Sequence, residues 1–289
     1  MSGDYFSRPE MSQSRLKDFA VSPAYYQLRL KQPQEQTEAM AIGSAVHAAL
    51  LEPEVFKKNY VCINGVYDKR TKAGKENWAL FCEENEGKEI LSEREYDQII
   101  RMRDSVFEHP KANDVLSFDI EAEKEIFFEL EGVPCKAKLD AIVPQINTVI
   151  DFKTARSSTA ESFKRDAINM HYDLQAYWYY EAYKSLYGSY PDFYAFIVVS
   201  KEEPYPVGVF QVDGEFLDRG RYYALKYLRK FKECSERNVW PKNESEEVIE
   251  ITTPEWAMRE VMADENADAF FSTMVREFKE SFFSTMTRE

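Results

Sequence analysis

In LDAIVPQINTVIDFKT, residues 139–154, two aspartates, Asp140 and Asp151, flank a proline-containing turn, and Lys153 stands two residues past the second. If residues 144–147 form a four-residue hairpin loop, Val143 faces Thr148 and Asp140 lies directly opposite Asp151, with Lys138 opposite Lys153 on the same side. Leu139, Ala141, Val143, Thr148, Ile150 and Phe152 then share the other face, which is apolar apart from Thr148. The preceding turn, Glu131-Gly132, holds two residues and sets Glu123 beside Asp140 and Glu125 beside Lys138. Carboxylates opposed at about 5 Å between Cβ atoms repel, so the row Glu123, Asp140, Asp151 needs a compensating cation or raised pKa values. A divalent ion held by oxygen ligands meets that need. A solvated face of Lys–carboxylate pairs, each contributing ~0–1 kcal/mol, is the other reading.

Two helical segments carry further candidates. In GSAVHAALL, Gly43 and His47 are four apart and share a helix face. The glycine permits close approach to another backbone, and His47 is either an imidazole ligand or a satisfied core histidine. In DLQAYWYY, Gln175 and Tyr179 share a face one turn apart, a spacing suited to paired hydrogen-bond donors aimed at a phosphate. Tyr177, Trp178, Tyr180 and Tyr183 read as an aromatic core stripe.

The elements that must position these groups are legible from period and punctuation. Helices are expected over 12–20, 40–51 (stopped by Glu52-Pro53), 75–86 and 92–107. Strands are expected over 121–130, 132–143 and 147–153. Ser158 with Glu161 predicts a capping box opening a helix over 159–169, and a second helix ends at Gly188. Strands over 192–200 and 205–212 follow, then a helix from Asp213 to about Arg237, and Thr253-Pro254 looks like the start of another. The order predicts an α/β fold, a central mixed β-sheet flanked by helices.

A chain of 289 residues, 44% hydrophobic, can bury a substantial core. One domain over 1–260 is expected, with a helical C-terminal tail over 261–289 in which FFSTMVRE (270–277) recurs as FFSTMTRE (282–289). The tail is either an amphipathic docking segment or an accidental duplication. No apolar run approaches the ~18 residues that span a bilayer, so a soluble, intracellular protein with no membrane partner is expected. Cys62, Cys82, Cys135 and Cys234 are scattered without a CxxC pair, which indicates neither zinc nor a disulfide framework. Net charge is −14 and pI near 4.9, an average that argues against a partner as acidic as DNA.

The order Gly43-Ser-Ala-Val-His47, Asp140, Asp151-Phe-Lys153, Gln175-Ala-Tyr-Trp-Tyr179 resembles the RecB-like branch of the PD-(D/E)xK nuclease superfamily. SQSRLKDFAVSPAYY, GSAVHAALLEPEVF, KAGKENW, EKEIFF with CKAKLDAIVP, and VIDFKTA are similar to the nuclease domain of exodeoxyribonuclease VIII, the RecE-like enzymes of phage and prophage recombination. The similarity runs from about residue 10 to 260 and leaves out the repeated tail. Where some relatives carry a cluster-binding cysteine before the proline of the opening motif, this chain has Ser22 before Pro23, so no iron–sulfur cluster is expected.

The resemblance implies a PD-(D/E)xK core and a Mg²⁺-dependent exonuclease, with Mn²⁺ able to substitute. It makes His47, Asp140 and Asp151 metal ligands, with the Phe152 carbonyl a further one. Lys153 would position or help deprotonate the attacking water or stabilise the phosphate charge, and Gln175 and Tyr179 would orient water or phosphate. It also implies 5′-to-3′ digestion of one strand from duplex DNA ends, a 3′ single strand passed to an annealing protein, a homo-oligomeric ring, a tetramer, and the cytoplasm of a bacterial or phage-infected cell. A ring meets the charge objection, because an acidic exterior can coexist with a basic lining. Lys69, Arg70, Lys72, Lys75, Arg156, Lys164 and Arg165 are its candidate DNA contacts, or else plain solvated surface. A related endonuclease, or a non-catalytic DNA-binding assembly protein, would carry the same motifs.

Overall fold

Caps and prolines divide the first part of the chain into short helices. α1 (Ser2–Ser7) leads to α2 (Gln13–Val21) and α3 (Pro23–Lys31). Ser12 Oγ accepts from the Arg15 N–H, Ser22 Oγ accepts from the Tyr25 N–H, and Pro23 occupies a first-turn position where its missing donor costs nothing. α4 (Glu38–Leu51) stops before Pro53, which opens α5 (Pro53–Asn59). β1 (Tyr60–Cys62) pairs in parallel with β2 (Glu89–Leu91) around α6 (Lys72–Glu84). α6 starts three residues ahead of the expected 75 because Thr71 caps it. α7 (Glu93–Glu108), opened by a Ser92–Glu95 capping box, precedes α8 (Pro110–Leu116). The structure is a computed structural model describing residues 2–32, 36–63, 65, 67–242, 248 and 250–253. Met1–Lys242 cluster into one unit, and the expected helix at Thr253-Pro254 and the repeated tail lie outside the described residues.

The central sheet follows the expected pairing. β3 (Glu121–Leu130), β4 (Val133–Val143) and β5 (Thr148–Ala155) are antiparallel neighbours, β6 (Phe193–Ser200) joins β5 in parallel, and β7 (Val207–Gln211) returns antiparallel. Glu131 and Gly132 both have positive φ, 53° and 73°, the backbone of a primed two-residue turn whose twist suits the flanking strands. The second turn is a 3₁₀ segment, Pro144–Ile146, closed by Asn147 in the left-handed region. It leaves Val143 opposite Thr148, as read from the sequence.

The crossover from β5 to β6 runs through α9 (Ala160–Asn169) and α10 (Tyr172–Tyr187), the latter ended by Gly188 at φ 82°. The predicted capping box at α9 does not form. Thr159 occupies the cap position without a side-chain bond, while Ser158 donates its hydroxyl to the Pro206 carbonyl at 2.7 Å, satisfying an acceptor that the sequence distance hides. α11 (Gly214–Arg237), capped by Asp213, completes the fold.

Helices cover both faces of the sheet. Leu16, Phe19, Phe163, Trp178 and Leu228 pack with Leu139, Val149 and Tyr194 on one face; Val46, Ile99, Met102 and Val106 pack with Val143, Ile150 and Ile197 on the other. Leu139 therefore does not share a face with Ala141, against the simple alternation expected from the sequence. The reversal falls at Asp140, where the strands stop pairing. No described helix is long and apolar enough to cross a membrane.

Candidate active site

The β3–β4 ladder keeps the same register on both sides of Glu123 and Asp140, yet those two residues do not pair. Glu123 takes φ 52°, a left-handed conformation sparsely populated by non-glycine residues. The β4–β5 ladder likewise ends at Ala141 opposite Ile150, and the Phe152 N–H turns to Asp140 Oδ2 at 2.9 Å. Pairing, not register, is thus interrupted where the three acids would stand side by side. The side chains of Glu123 and Asp140 face a histidine instead.

That histidine is His47, delivered by α4. Its Nε2 lies 2.9 Å from Asp140 Oδ2 and its Nδ1 2.9 Å from Glu123 Oε1. Lys138 pairs with the other oxygen of Glu123. One potential ligand atom from each of His47, Glu123 and Asp140 falls within 4.8 Å of the others. An imidazole and two carboxylates on three separate elements, open to one cavity, make a donor set that could hold a metal ion. Gly43 lies one turn before His47; a Cβ there would sit 3.1 Å from Thr154 Oγ1, so the glycine clears a side chain rather than a backbone.

Charge explains why these groups stay together. Burial works against a charged His47, but Asp140 and Glu123 outweigh it and raise the imidazole to about 10. Burial also opposes ionisation of Asp140, and His47, Lys153 and the Phe152 N–H overcome it, holding the carboxyl below its usual range. Asp151 goes the other way, raised by burial and by Asp140 in spite of Lys153. Two neighbouring carboxyls are thus driven apart by their surroundings, an arrangement found where carboxylates do acid–base or metal chemistry.

Asp151 itself is fully buried and stands behind the cavity wall. Lys153 pairs with its Oδ1, while Gln175 Nε2 donates to Oδ2 at 2.5 Å and the Tyr194 hydroxyl donates to the same oxygen at 2.9 Å. Burial disfavours charge on Lys153, but Asp151 and Asp140 reverse the balance and raise it, so it stands as an ammonium, a form suited to stabilising phosphate charge. α10 holds this arrangement because Trp178 Nε1 donates to the Lys136 carbonyl at 3.0 Å, docking the helix on β4 one turn from Gln175 and beside Tyr179.

A cavity of about 670 Å³ opens in front of the triad. Its wall includes His47, Glu123, Asp140, Phe152, Lys153 and Tyr179. The structure therefore gathers His47, Asp140, Phe152, Lys153 and Tyr179 at one wall, adds Glu123, and sets Asp151 and Gln175 just behind. Lys69, Arg70, Lys72, Lys75, Arg156, Lys164 and Arg165 are exposed and lie off that wall. Lys69 rests 3.6 Å from the centroid of the Trp78 ring, and Arg70 pairs with Asp68 and Arg165 with Glu161.

Sequence reasoning missed Lys17. On α2, its Nζ reaches Gln175 Oε1 at 3.4 Å and lies 5.2 Å from the centroid of the Tyr172 ring, which Lys153 approaches at 5.1 Å. Burial, then the charge of Lys153, push Lys17 down to about 7. An unfolded lysine titrates near ~10.4, so between those values the unfolded chain binds more protons and stability rises with pH. In EDTA, the urea midpoint of the wild type should therefore climb relative to Lys17→Met between pH 7 and pH 10. A constant difference between the two proteins across that range would reject the assignment.

Residues 12–252 match the family described as a PDDEXK-like domain of unknown function. The chain belongs to that family. The PDDEXK-like domain also superposes on the crystal structure of a candidate exonuclease from Eubacterium rectale, with a TM-score of 0.60, 15% identity, and coverage of 91% of this chain and 98% of that one. At that identity the likeness shows the fold alone, an α/β core, and the PDDEXK-like character comes from the family match. A second solved structure, SSO0001, is 14% identical over 74% of this chain and 91% of its own, and its TM-score of 0.29 carries no argument. No curated protein matches the domain.

Proposed function

We propose that the protein is a Mg²⁺-dependent exonuclease that digests one strand of duplex DNA from its 5′ end. The observation that carries this reading is the convergence of His47, Glu123 and Asp140 within 4.8 Å on the wall that also presents Lys153 and Tyr179. When bound, a divalent ion supplies a water acidified toward neutrality and a Lewis acid for the scissile phosphate. His47, Glu123 and Asp140 would hold it, with the Phe152 carbonyl as a further ligand; Asp151 would join them only by exchanging its bond from Lys153 or Gln175 for the ion, and Mn²⁺ would serve in place of Mg²⁺. Lys153, held as an ammonium, neutralises charge developing on the phosphate. Gln175 fixes Asp151 and the Lys153–Asp151 pair, and Tyr179, a phenol that burial and the two aspartates keep protonated, donates to phosphate or water.

The 5′-to-3′ polarity, the 3′ single strand left for an annealing protein, and a ring-shaped oligomer, a tetramer, rest on the RecE-like stretches of the sequence. The basic side chains off the cavity wall are then the DNA-facing lining within an otherwise acidic molecule. The test is digestion of 5′- and 3′-end-labelled linear duplex and of a covalently closed circle, each with Mg²⁺ and with EDTA. Early release of the 5′ label from linear duplex alone, abolished by EDTA, is the expected result. Prompt cutting of the closed circle would make the enzyme an endonuclease, and no cleavage of either would make it a non-catalytic DNA-binding protein.

A further inference from the structure

Around the charged cavity one part of the wall is apolar and open. Phe6 lines the cavity beside the triad and is 67% exposed. Tyr5, buried, meets it edge-on at 5.4 Å between ring centroids. A large apolar side chain left in water gives up the burial that normally stabilises it. What holds it there is a strap of unusual construction.

The strap, residues 5–10, is pinned by two cations. Arg15 Nη1 donates to the carbonyls of Arg8 at 2.8 Å and Glu10 at 2.7 Å, and its Nη2 reaches the Phe6 carbonyl at 3.5 Å. Lys136 Nζ donates to the Tyr5 carbonyl at 2.5 Å and the Arg8 carbonyl at 2.8 Å, and lies 4.6 Å from the centroid of the Tyr5 ring. Lys136 is only 2% exposed. Burying an ammonium against carbonyls costs free energy that an apolar residue of similar volume would not, so stability alone does not account for it. Its geometric result is that the Phe6 ring is held at the cavity mouth, with Lys138 Nζ 5.8 Å from the ring centroid.

An exposed flat ring, the ammonium groups of Lys138 and Lys153 and a carboxylate–imidazole cluster around one cavity match the parts of a nucleotide. The cations and the cluster take the backbone, and the ring takes a base face. We propose that Phe6 is a substrate-positioning residue whose ring stacks on a nucleobase near the end of the strand being digested. This rests on the nuclease reading above. Stacking of this kind tolerates any base, because every base has a π-face, so it would fix the strand in the cavity without imposing sequence preference. The Lys136–Arg15 strap preorganises the ring, so little ordering is needed on binding.

The test uses the full chain with Mg²⁺ and linear duplexes that are intact or carry one abasic nucleotide at the first, second or third position of the digested strand. Alanine substitution of a base-stacking aromatic weakens binding by roughly fivefold to 150-fold. Phe6→Ala should raise KM within that span while leaving kcat near wild type, and Phe6→Trp should restore KM. The wild type and Phe6→Trp should discriminate against one of the abasic duplexes by a similar factor, and Phe6→Ala should not. A Phe6→Ala enzyme with wild-type KM, or with unchanged abasic discrimination, overturns the stacking role and leaves the nuclease reading standing. Absence of Mg²⁺-dependent cleavage in the wild type overturns both.

Discussion

Asp140→Asn should lower Mg²⁺-supported hydrolysis of duplex DNA by at least ~10²-fold while leaving the fold intact. Even groups that only support a metal ligand are worth ~10- to 100-fold in affinity or activity, and Asp140 is proposed as a ligand itself. The amide has the same shape, and its oxygen can keep the bond from the Phe152 N–H, so the split between β4 and β5 survives. What disappears is the charge that, with Glu123, holds His47 in place. Initial rates on end-labelled duplex and the affinity for Mn²⁺ by titration calorimetry should fall together at a temperature where circular dichroism shows the variant folded, and the urea midpoint should drop because a buried ion pair loses one partner. Wild-type rates in this variant would remove Asp140 from the site.

Gly220→Ala should destabilise the protein by about 2 kcal/mol or more, against the usual sign for that exchange in a helix. Alanine gains ~1 kcal/mol over glycine in a helix interior. At Gly220, however, a Cβ would lie 2.0 Å from the Asp173 carbonyl oxygen and 2.4 Å from its carbon. Backbone cannot swing aside as a side-chain tip can; overpacking typically costs ~1–3 kcal/mol, occasionally more, and a 2.0 Å approach to backbone belongs at or above the top of that span, which leaves about 2 kcal/mol after the helix gain. Relief requires α11 to move away from α10, whose first turn Asp173 anchors through its ion pair with Arg219. Two residues further along lies Gln175, so activity should fall with stability. A urea midpoint at or above wild type would show that the helices separate freely and that the clash decides nothing.

Most of the sheet was legible because its determinants are local. Glu131-Gly132 can adopt two positive φ values, and Pro144 to Asn147 closes a tight turn; together they set the register of β3, β4 and β5 without reference to the rest of the chain. Gly188 and Asp213 marked helix ends for similarly local reasons. The capping box at Ser158 failed because a carbonyl from Pro206, remote in sequence, was a better partner for the hydroxyl. Leu139 failed because alternation presumes continuous pairing, and pairing stops at Asp140.

The sequence by itself determined which acids come near one another: turn lengths set the strand register that brings Glu123, Asp140 and Asp151 to the same level in one row, although the ladders do not pair them there. Only the tertiary structure decided how that row divides. His47, arriving on α4, draws Glu123 and Asp140 to the cavity wall, whereas Lys153, Gln175 and Tyr194 take both oxygens of Asp151 into the interior. The strap that sets Phe6 at the mouth, and Lys17 beside Gln175, are also tertiary facts. Register is set by covalent reach within a hairpin, but the partner of a charged side chain is set by desolvation and by whichever opposite charge the packing of distant helices brings within a few ångströms.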